Sequence, residues 1–330
     1  MGLQRKSKLL YLLDYLKKHS DEQHPVQAAE IMQMLADNGI SVDRKTVYDD
    51  ILLLKDYGFD IEALKYPKRG YAMLSREFEP AEIYLLTDAV RFARFITPKK
   101  TDELIRKLEG MLSVHQKKDM NYRAYGEYGV KCKNEELYYN IENICNAIFA
   151  KKKISFDYIK KVLESASLGD RIKSFVISPY AIIWDNDHYY LIGNNEKYDN
   201  LMTMRIDRMK RVKITEENWR HFSQVSRYTD RFDAADYAKK SLSMFGGEAG
   251  EIVLECDNNL LDWVIDRFGE DTYMRDCGNG RFVFSTTANV SDGLVAWVLQ
   301  FGDGICVKSP LELKNMVIEK VRAIEKMYIG

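Results

Sequence analysis

Leu9, Leu12, Leu13 and Leu16 recur at the spacing of one buried helical stripe and predict a helix over residues 6–18. The polar run from Asp21 to Pro25 breaks it. A second helix follows over 26–37, burying Ala28, Ile31 and Leu35, with Asn38-Gly39 as its stop. A third starts at Asp43, whose carboxylate can cap the free amides of the first turn, and ends at Gly58. Its period turns Val47, Ile51 and Leu54 inward and Lys45, Tyr48 and Asp49 outward, with Arg44 and Thr46 at the flanks of the first turn. Residues 59–65 and 70–74 then read as two strands around a basic turn containing Lys68 and Arg69. Three helices and a hairpin in this order make a winged helix-turn-helix.

Helical spacing returns over 79–96, with Ile83, Leu86, Val90 and Ala93 on one face. It returns again over 98–115, with Leu104, Ile105, Leu108 and Met111, where Pro98 suits a helix start. Residues 117–133 are polar, tyrosine-rich and linker-like. A helix over 134–151 carries Leu137, Ile141, Ile144 and Ile148 on one side.

The period then switches to two. Ile154, Phe156 and Tyr158 alternate in a first strand, and 160–171 reads as a loop. Phe175–Trp184, the turn Asp185-Asn186-Asp187 and His188–Gly193 read as a hairpin, and Met202–Lys213 as a further β-rich run. In that run Met202, Met204 and Ile206 share one side, and Thr203, Arg205 and Asp207 the other. Arg208 joins the first side unless the strand bends near Asp207. Arginines beside β-strand aromatics suit a planar anionic ligand such as phosphate. The other reading is an Arg205–Asp207 surface pair with Arg208 solvated. After a connector over 218–247, the chain reads β-α-β-β-α, then a short strand at 304–307 and a closing helix over 311–328. Gly278-Asn279-Gly280 marks the hairpin.

A chain of 330 residues exceeds one ordinary core and implies several domains. Charges nearly cancel overall, at 49 basic against 50 acidic residues, but not locally. Residues 151–213 hold 13 basic against 8 acidic side chains and residues 250–330 hold 8 against 13, so the former is the anion binder. Residues 5–76 are close to neutral, at 12 against 11, so nucleic-acid binding there rests on clusters: Arg5-Lys6-Lys8, Arg44-Lys45 and Lys65/Lys68-Arg69.

Pro179-Tyr180, Trp184, Tyr189-Tyr190-Leu191-Ile192-Gly193 and Met204-Arg205-Ile206-Asp207-Arg208-Met209 resemble the WYL domain of bacterial regulators. The Trp-Tyr-Leu signature falls on Tyr189-Tyr190-Leu191, so Tyr replaces its Trp, while the Arg-x-Asp-Arg run matches fully. The segment Asp43–Ile51 with Gly58 and Gly70-Tyr71 resembles the winged helix that precedes many such domains. The part from Ser309-Pro-Leu-Glu-Leu313 onward resembles the C-terminal extension that follows them. One departure is Asp49, which stands where such helices often carry a basic residue and can accept from cytosine N4.

The resemblance implies an α+β multidomain chain: a winged helix-turn-helix over 1–76, a helical connector and linker over 77–133, an Sm-like (SH3-type) β-barrel sensor over 134–217, a connector over 218–248 and a ferredoxin-like α+β domain over 249–330. It implies a homodimeric, ligand-responsive transcription regulator on a double-stranded operator. Arg44, Lys45, Thr46, Tyr48, Asp49, Lys68 and Arg69 would contact DNA. Tyr158, Tyr180, His188, Tyr190, Arg205 and Arg208 would hold an anionic effector of nucleotide or single-stranded nucleic-acid type. The alternative is an accessory protein that binds single-stranded nucleic acid and modulates a partner in a defence system.

No phosphate-cradling glycine loop, no Gly-x-Ser-x-Gly elbow and no His-Glu-x-x-His is present, and the five histidines have no metal-ligand spacing, so no enzyme, cofactor or metal is expected. Cys132, Cys145, Cys256, Cys277 and Cys306 are scattered, as reduced thiols of a cytoplasmic protein would be. The amino-terminal apolar stretch is too short and too soon followed by charge for a secretory signal, and no run long enough to cross a membrane occurs.

Overall fold

The computed structural model describes residues 2–66, 68–121, 129–164 and 167–329, a mixed α/β chain with three sheets in two compact units, 1–133 and 134–330. In the first unit α1 (Gly2–His19), α2 (Ala28–Asp37) and α3 (Arg44–Tyr57) precede a hairpin of β1 (Ile61–Leu64) and β2 (Gly70–Met73). The leucine period is realised as core: Leu12, Leu16, Ile31, Leu35 and Val47 are fully buried together. Each such side chain contributes roughly 1.5–3 kcal/mol against an exposed position. Gly58 ends α3 at φ +119°, a conformation that favours glycine.

The next two helices are shorter than their apolar period predicts. α4 (Pro80–Phe92) stops before Ala93, and α5 (Pro98–Glu109) starts on the Thr97 cap, whose hydroxyl accepts from Lys100 N at 3.3 Å. α4 buries Ile83 and Thr87, while Leu86 of the expected stripe is exposed. A further helix, α6 (Val114–Asn121), occupies the start of the expected linker. Residues 122–128 of that linker lie outside the described residues. Beyond them Cys132 N donates to Arg94 O and Lys131 Nζ to Ala93 O, so the chain returns onto the end of α4.

The second unit opens with α7 (Leu137–Ala150), then β3 (Lys152–Glu164), β4 (Ser167–Asp185), β5 (His188–Asn194), β6 (Met202–Arg205) and β7 (Met209–Asn218). Their order in the sheet is β6-β5-β4-β3-β7, all antiparallel. β6 and β7 are its edges, so the expected closed barrel is not formed: the chain between them turns through Ile206–Arg208 in a single 3-10 turn rather than pairing across. The loop expected at 160–171 is a hairpin instead, with Lys160 opposite Arg171 and Leu163 opposite Leu168; residues 165–166 at its tip lie outside the described residues. Alternation of polar and apolar side chains there is weak, which hides a strand from a periodicity argument. The β4–β5 turn is as expected, with Asn186 and Asp187 at φ +44° and +60°.

Helix α7 buries Leu137, Asn140, Ile144 and Ala147, not the all-apolar stripe through Ile141 and Ile148. The rotation brings amides to an edge strand. Asn140 Nδ2 donates to Met209 O at 2.8 Å, Asn134 Nδ2 to the same oxygen at 2.7 Å and to Asp207 O at 3.0 Å, and Asn143 Nδ2 to Val212 O at 3.1 Å.

The expected connector over 218–248 is core-forming. It holds α8 (Ala234–Lys240) and buries Phe222, Tyr237, Leu242 and Met244. α8 and Met244 cover Ile183 and Ile192 on the outer side of the sheet. The remainder is β8 (Glu248–Asp257), α9 (Leu261–Phe268), β9 (Tyr273–Gly278), β10 (Arg281–Val290), α10 (Asp292–Gln300), β11 (Ile305–Ser309) and α11 (Leu311–Ile329), with strand order β11-β8-β10-β9 around Phe284, Leu254 and Leu294.

Because Met209 O accepts from two asparagines, it keeps one partner when either is lost. Asn140→Ala is expected to cost about 1 kcal/mol, and the Asn134→Ala/Asn140→Ala double variant about 1 kcal/mol more than the two singles together. Urea unfolding followed by tryptophan fluorescence measures this, because all four tryptophans lie in the second unit.

Candidate functional site

In the first unit the sequence-predicted nucleic-acid contacts sit on α3 and the β1–β2 connection. Asp43 Oδ1 accepts from Thr46 N at 2.7 Å and from Thr46 Oγ1 at 2.6 Å, and these bonds hold its carboxyl below the usual range. The Thr46 hydroxyl is thereby spent on the helix start. Arg44, Lys45, Tyr48 and Asp49 are exposed, as are Lys68 and Arg69; residue 67 between them and β1 lies outside the described residues. Lys8 is withdrawn from the expected amino-terminal cluster by a 2.8 Å ion pair with the buried Asp50. The side chains of Arg5 and Lys6 lie outside the described residues.

In the second unit five of the six expected effector residues come together. Pairing of β5 with β6 sets Tyr190 opposite Arg205, and pairing of β4 with β5 sets Asp185 opposite His188. Side chains directly opposite share a face, so His188, Tyr190 and Arg205 do. His188 and Tyr190 meet edge to face at 6.4 Å. Arg205 donates from Nε and Nη2 to the two oxygens of Asp207, at 3.0 and 2.7 Å. Those bonds raise its pKa, with Tyr190 and Tyr158 adding to the effect from their own strands. The bend at 206–208 leaves Arg208 exposed. Tyr180 is placed elsewhere. It is the extra residue at a register shift in β4, and its ring packs on Trp219 and Phe222. Its hydroxyl donates to Arg220 O at 2.7 Å, and burial pushes its pKa to about 12.

His188 Nδ1 is buried and has no hydrogen-bond partner among the described residues. A buried unpaired ring nitrogen beside a tyrosine and an arginine is a polar atom that a ligand entering there would satisfy. The cluster can therefore hold a planar anion: guanidinium groups for charge, His188 for a hydrogen bond and Tyr190 for stacking. Both readings of the arginines survive in part, since Arg205 is engaged by Asp207 and Arg208 is free to reach an anion.

A separate cleft of about 840 Å³ is lined by Asp199, Arg227, Tyr228, Lys240, Gly247 and Asn289. Its cations are already compensated, because Arg227 and Lys240 both pair with Asp236. The smaller arginine cluster is the better anion site on chemistry. Sequence reasoning missed Asp185, whose carboxyl burial pushes up, against the pull of Arg267. Its face follows only from the β4–β5 register.

Burial first, and then the nearby Arg205 charge, lower the His188 pKa below 6.5. The folded chain thus disfavours protonated His188. Its stabilising contribution is complete above pH 6.5 and is lost as pH falls through the lowered value. Arg205→Met is expected to raise the His188 pKa without returning it to 6.5, as read from the histidine ring resonances in an NMR titration.

The family model of the WYL domain matches residues 139–214, and that of the WCX domain matches residues 248–324. No curated protein matches the chain. Among solved structures, proteasome accessory factor B/C (PafBC) of Arthrobacter aurescens shares 17% identity over 98% of this chain and 47% of its own, with a TM-score of 0.27. The chain thus spans about half the length of that protein. A crystal structure of a CRISPR Cas-related protein shares 14% identity over 98% of this chain and 84% of its own, with a TM-score of 0.35. Both superpositions are too loose for anything to be transferred from them. The chain thus carries a WYL domain, which holds the arginine cluster, followed by a WCX domain, which holds the four-stranded sheet.

Proposed function

We propose that this chain is a non-catalytic, ligand-responsive transcription regulator that binds double-stranded DNA as a homodimer. The observation that carries the reading is α3. Val47, Ile51 and Leu54 close its inner side, while Arg44, Lys45, Tyr48 and Asp49 are exposed, in the same unit as a hairpin carrying exposed Lys68 and Arg69. That is the arrangement of a winged helix, whose recognition helix reads base edges while its wing holds phosphate. Symmetric pairs of such helices read two half-sites. The five-stranded sheet is taken as an open Sm-like sensor. The last four strands, in the spatial order fourth-first-third-second, are taken as a ferredoxin-like extension. An anion at Arg205, Arg208, His188 and Tyr190 regulates the chain by binding one arrangement of the two DNA-reading units better than another.

Fluorescence anisotropy with the duplex upstream of its own gene tests this. Lys68→Ala and Arg69→Ala are each expected to weaken all duplexes alike and to lower the slope of log K against log salt by about 0.9. Arg44→Ala is expected to change the preferred sequence. Arg205→Ala/Arg208→Ala is expected to keep duplex affinity and lose its response to nucleotides and short single strands. Duplex binding that never rises above the non-specific level, with tight single-strand binding untouched by Arg44→Ala/Lys45→Ala, would sink the regulator reading in favour of an accessory single-strand binder.

A further inference from the structure

Within the second unit a cleft of about 290 Å³ lies between the β4–β5 turn and the helices α9 and α10. Asn186 of the turn lines one side and Arg267 of α9 another, while α10 contributes Gly293, Trp297 and Gln300. Those three positions recur at i, i+4 and i+7, so they fall on one face of the helix. Phe245 closes the cleft from the segment that follows Met244. Glycine is required at 293, because a Cβ there would lie 2.6 Å from Leu242 O and 2.8 Å from the Phe245 ring. Among the described residues no acidic side chain lines the cleft, and none of its lining residues belongs to the Arg205 cluster.

Arg267 is half-buried, and among the described residues its one hydrogen bond runs from Nη2 to Ser241 O at 3.0 Å. Nε and Nη1 are left without an acceptor, and no carboxylate pairs with the guanidinium. Burial lowers its pKa, and the pull of Asp185, which does not reach pairing distance, offsets only part of this. A cation so placed carries a desolvation cost that a bound carboxylate would offset. Arg281 of the same domain shows the contrast, since it already pairs with Glu255 and Asp257. The aromatic wall is held in place. Trp297 meets Phe268 edge to face at 5.2 Å and Phe301 at 5.1 Å.

We propose that this cleft is a second ligand site, separate from the Arg205 cluster, which takes a small carboxylate borne on a planar ring. The carboxylate pairs with Arg267, the amides of Asn186 and Gln300 flank it, and the ring packs between Trp297 and Phe245. A single guanidinium with no second cation beside it balances one negative charge, which suits a carboxylate better than a phosphate dianion. The volume is at the lower end for small-molecule sites and admits one ring but no polymer. Such a ligand touches the β4–β5 turn of the five-stranded sheet and two helices of the last domain at once. Its binding therefore favours one arrangement of these elements.

The test is fluorine NMR of para-fluorobenzoate and its neutral isostere para-fluorobenzamide, each titrated with the full chain. Wild type is expected to bind the acid about tenfold more tightly than the amide, the ratio that one charge-assisted pairing supplies. Arg267→Met is expected to lose that preference. Ala296 lines the same cleft and is exposed, so its replacement leaves the fold intact. Ala296→Glu gives Arg267 an internal carboxylate and is expected to abolish binding of the acid, while Ala296→Gln retains it. Equal affinity for acid and amide, a preference that survives in both Arg267→Met and Ala296→Glu, or no binding by wild type would overturn the site. Loss of binding in Arg205→Ala/Arg208→Ala with retention in Arg267→Met would overturn it by placing the carboxylate in the other cluster. Displacement of the acid by inorganic phosphate at lower concentration than by unlabelled benzoate would overturn the ring-carboxylate assignment.

Discussion

The amides of Asn134, Asn140 and Asn143 on the backbone carbonyls of β7 and the turn before it are the interaction on which the second unit depends. An edge strand has carbonyls that no neighbouring strand will satisfy, and burial under a helix denies them water. The three amides meet them. In doing so they set the rotation of α7 and hold the residues from Asp207 to Val212. The turn that carries Arg205, Asp207 and Arg208 is therefore anchored from behind by its own backbone, and its side chains are left for other uses.

What those side chains do is governed by compensation of charge. Arg205 is held in plane by the Asp207 fork, which fixes its orientation and takes up part of its charge. Arg208 is not compensated in this way. The seam around Arg227 and Lys240 has comparable basic content, yet Asp236 meets both. Volume alone would have chosen the seam; free charge beside half-buried aromatics and an unpaired histidine nitrogen chooses the arginine cluster. A half-buried cation with a carboxylate partner positions itself, while one without a partner attracts a ligand.

Much of the helical part was legible because its signals are local. The leucine stripe of α1, the Asp43 cap and the Gly58 stop of α3, and the Pro98 start of α5 depend on residues within one or two turns. The Asn186-Asp187 and Gly278-Asn279-Gly280 turns were legible for the same reason, since their φ values demand those residue types. The reading failed where a partner distant in sequence decides. Asn140 displaced Ile141 from the inner face of α7 because Met209 supplied an acceptor, and Lys8 left its basic cluster because Asp50 is buried beside it. Tyr180 left the site because a one-residue register shift re-aimed it.

The amino-acid sequence by itself determined the order of elements, the capped start and exposed face of α3, the Arg-x-Asp-Arg run and the charge contrast between the middle and the end of the chain. These follow from propensity, capping and period, which act over a few residues. Only the tertiary structure decided that the five-stranded sheet stays open and that 160–171 is a hairpin rather than a loop. It also decided that residues 222–244 form core over the outer side of the sheet. Each is a matter of strand register and burial. Those are settled by the hydrogen-bonding needs of backbone groups far apart in the chain, and no local pattern encodes them.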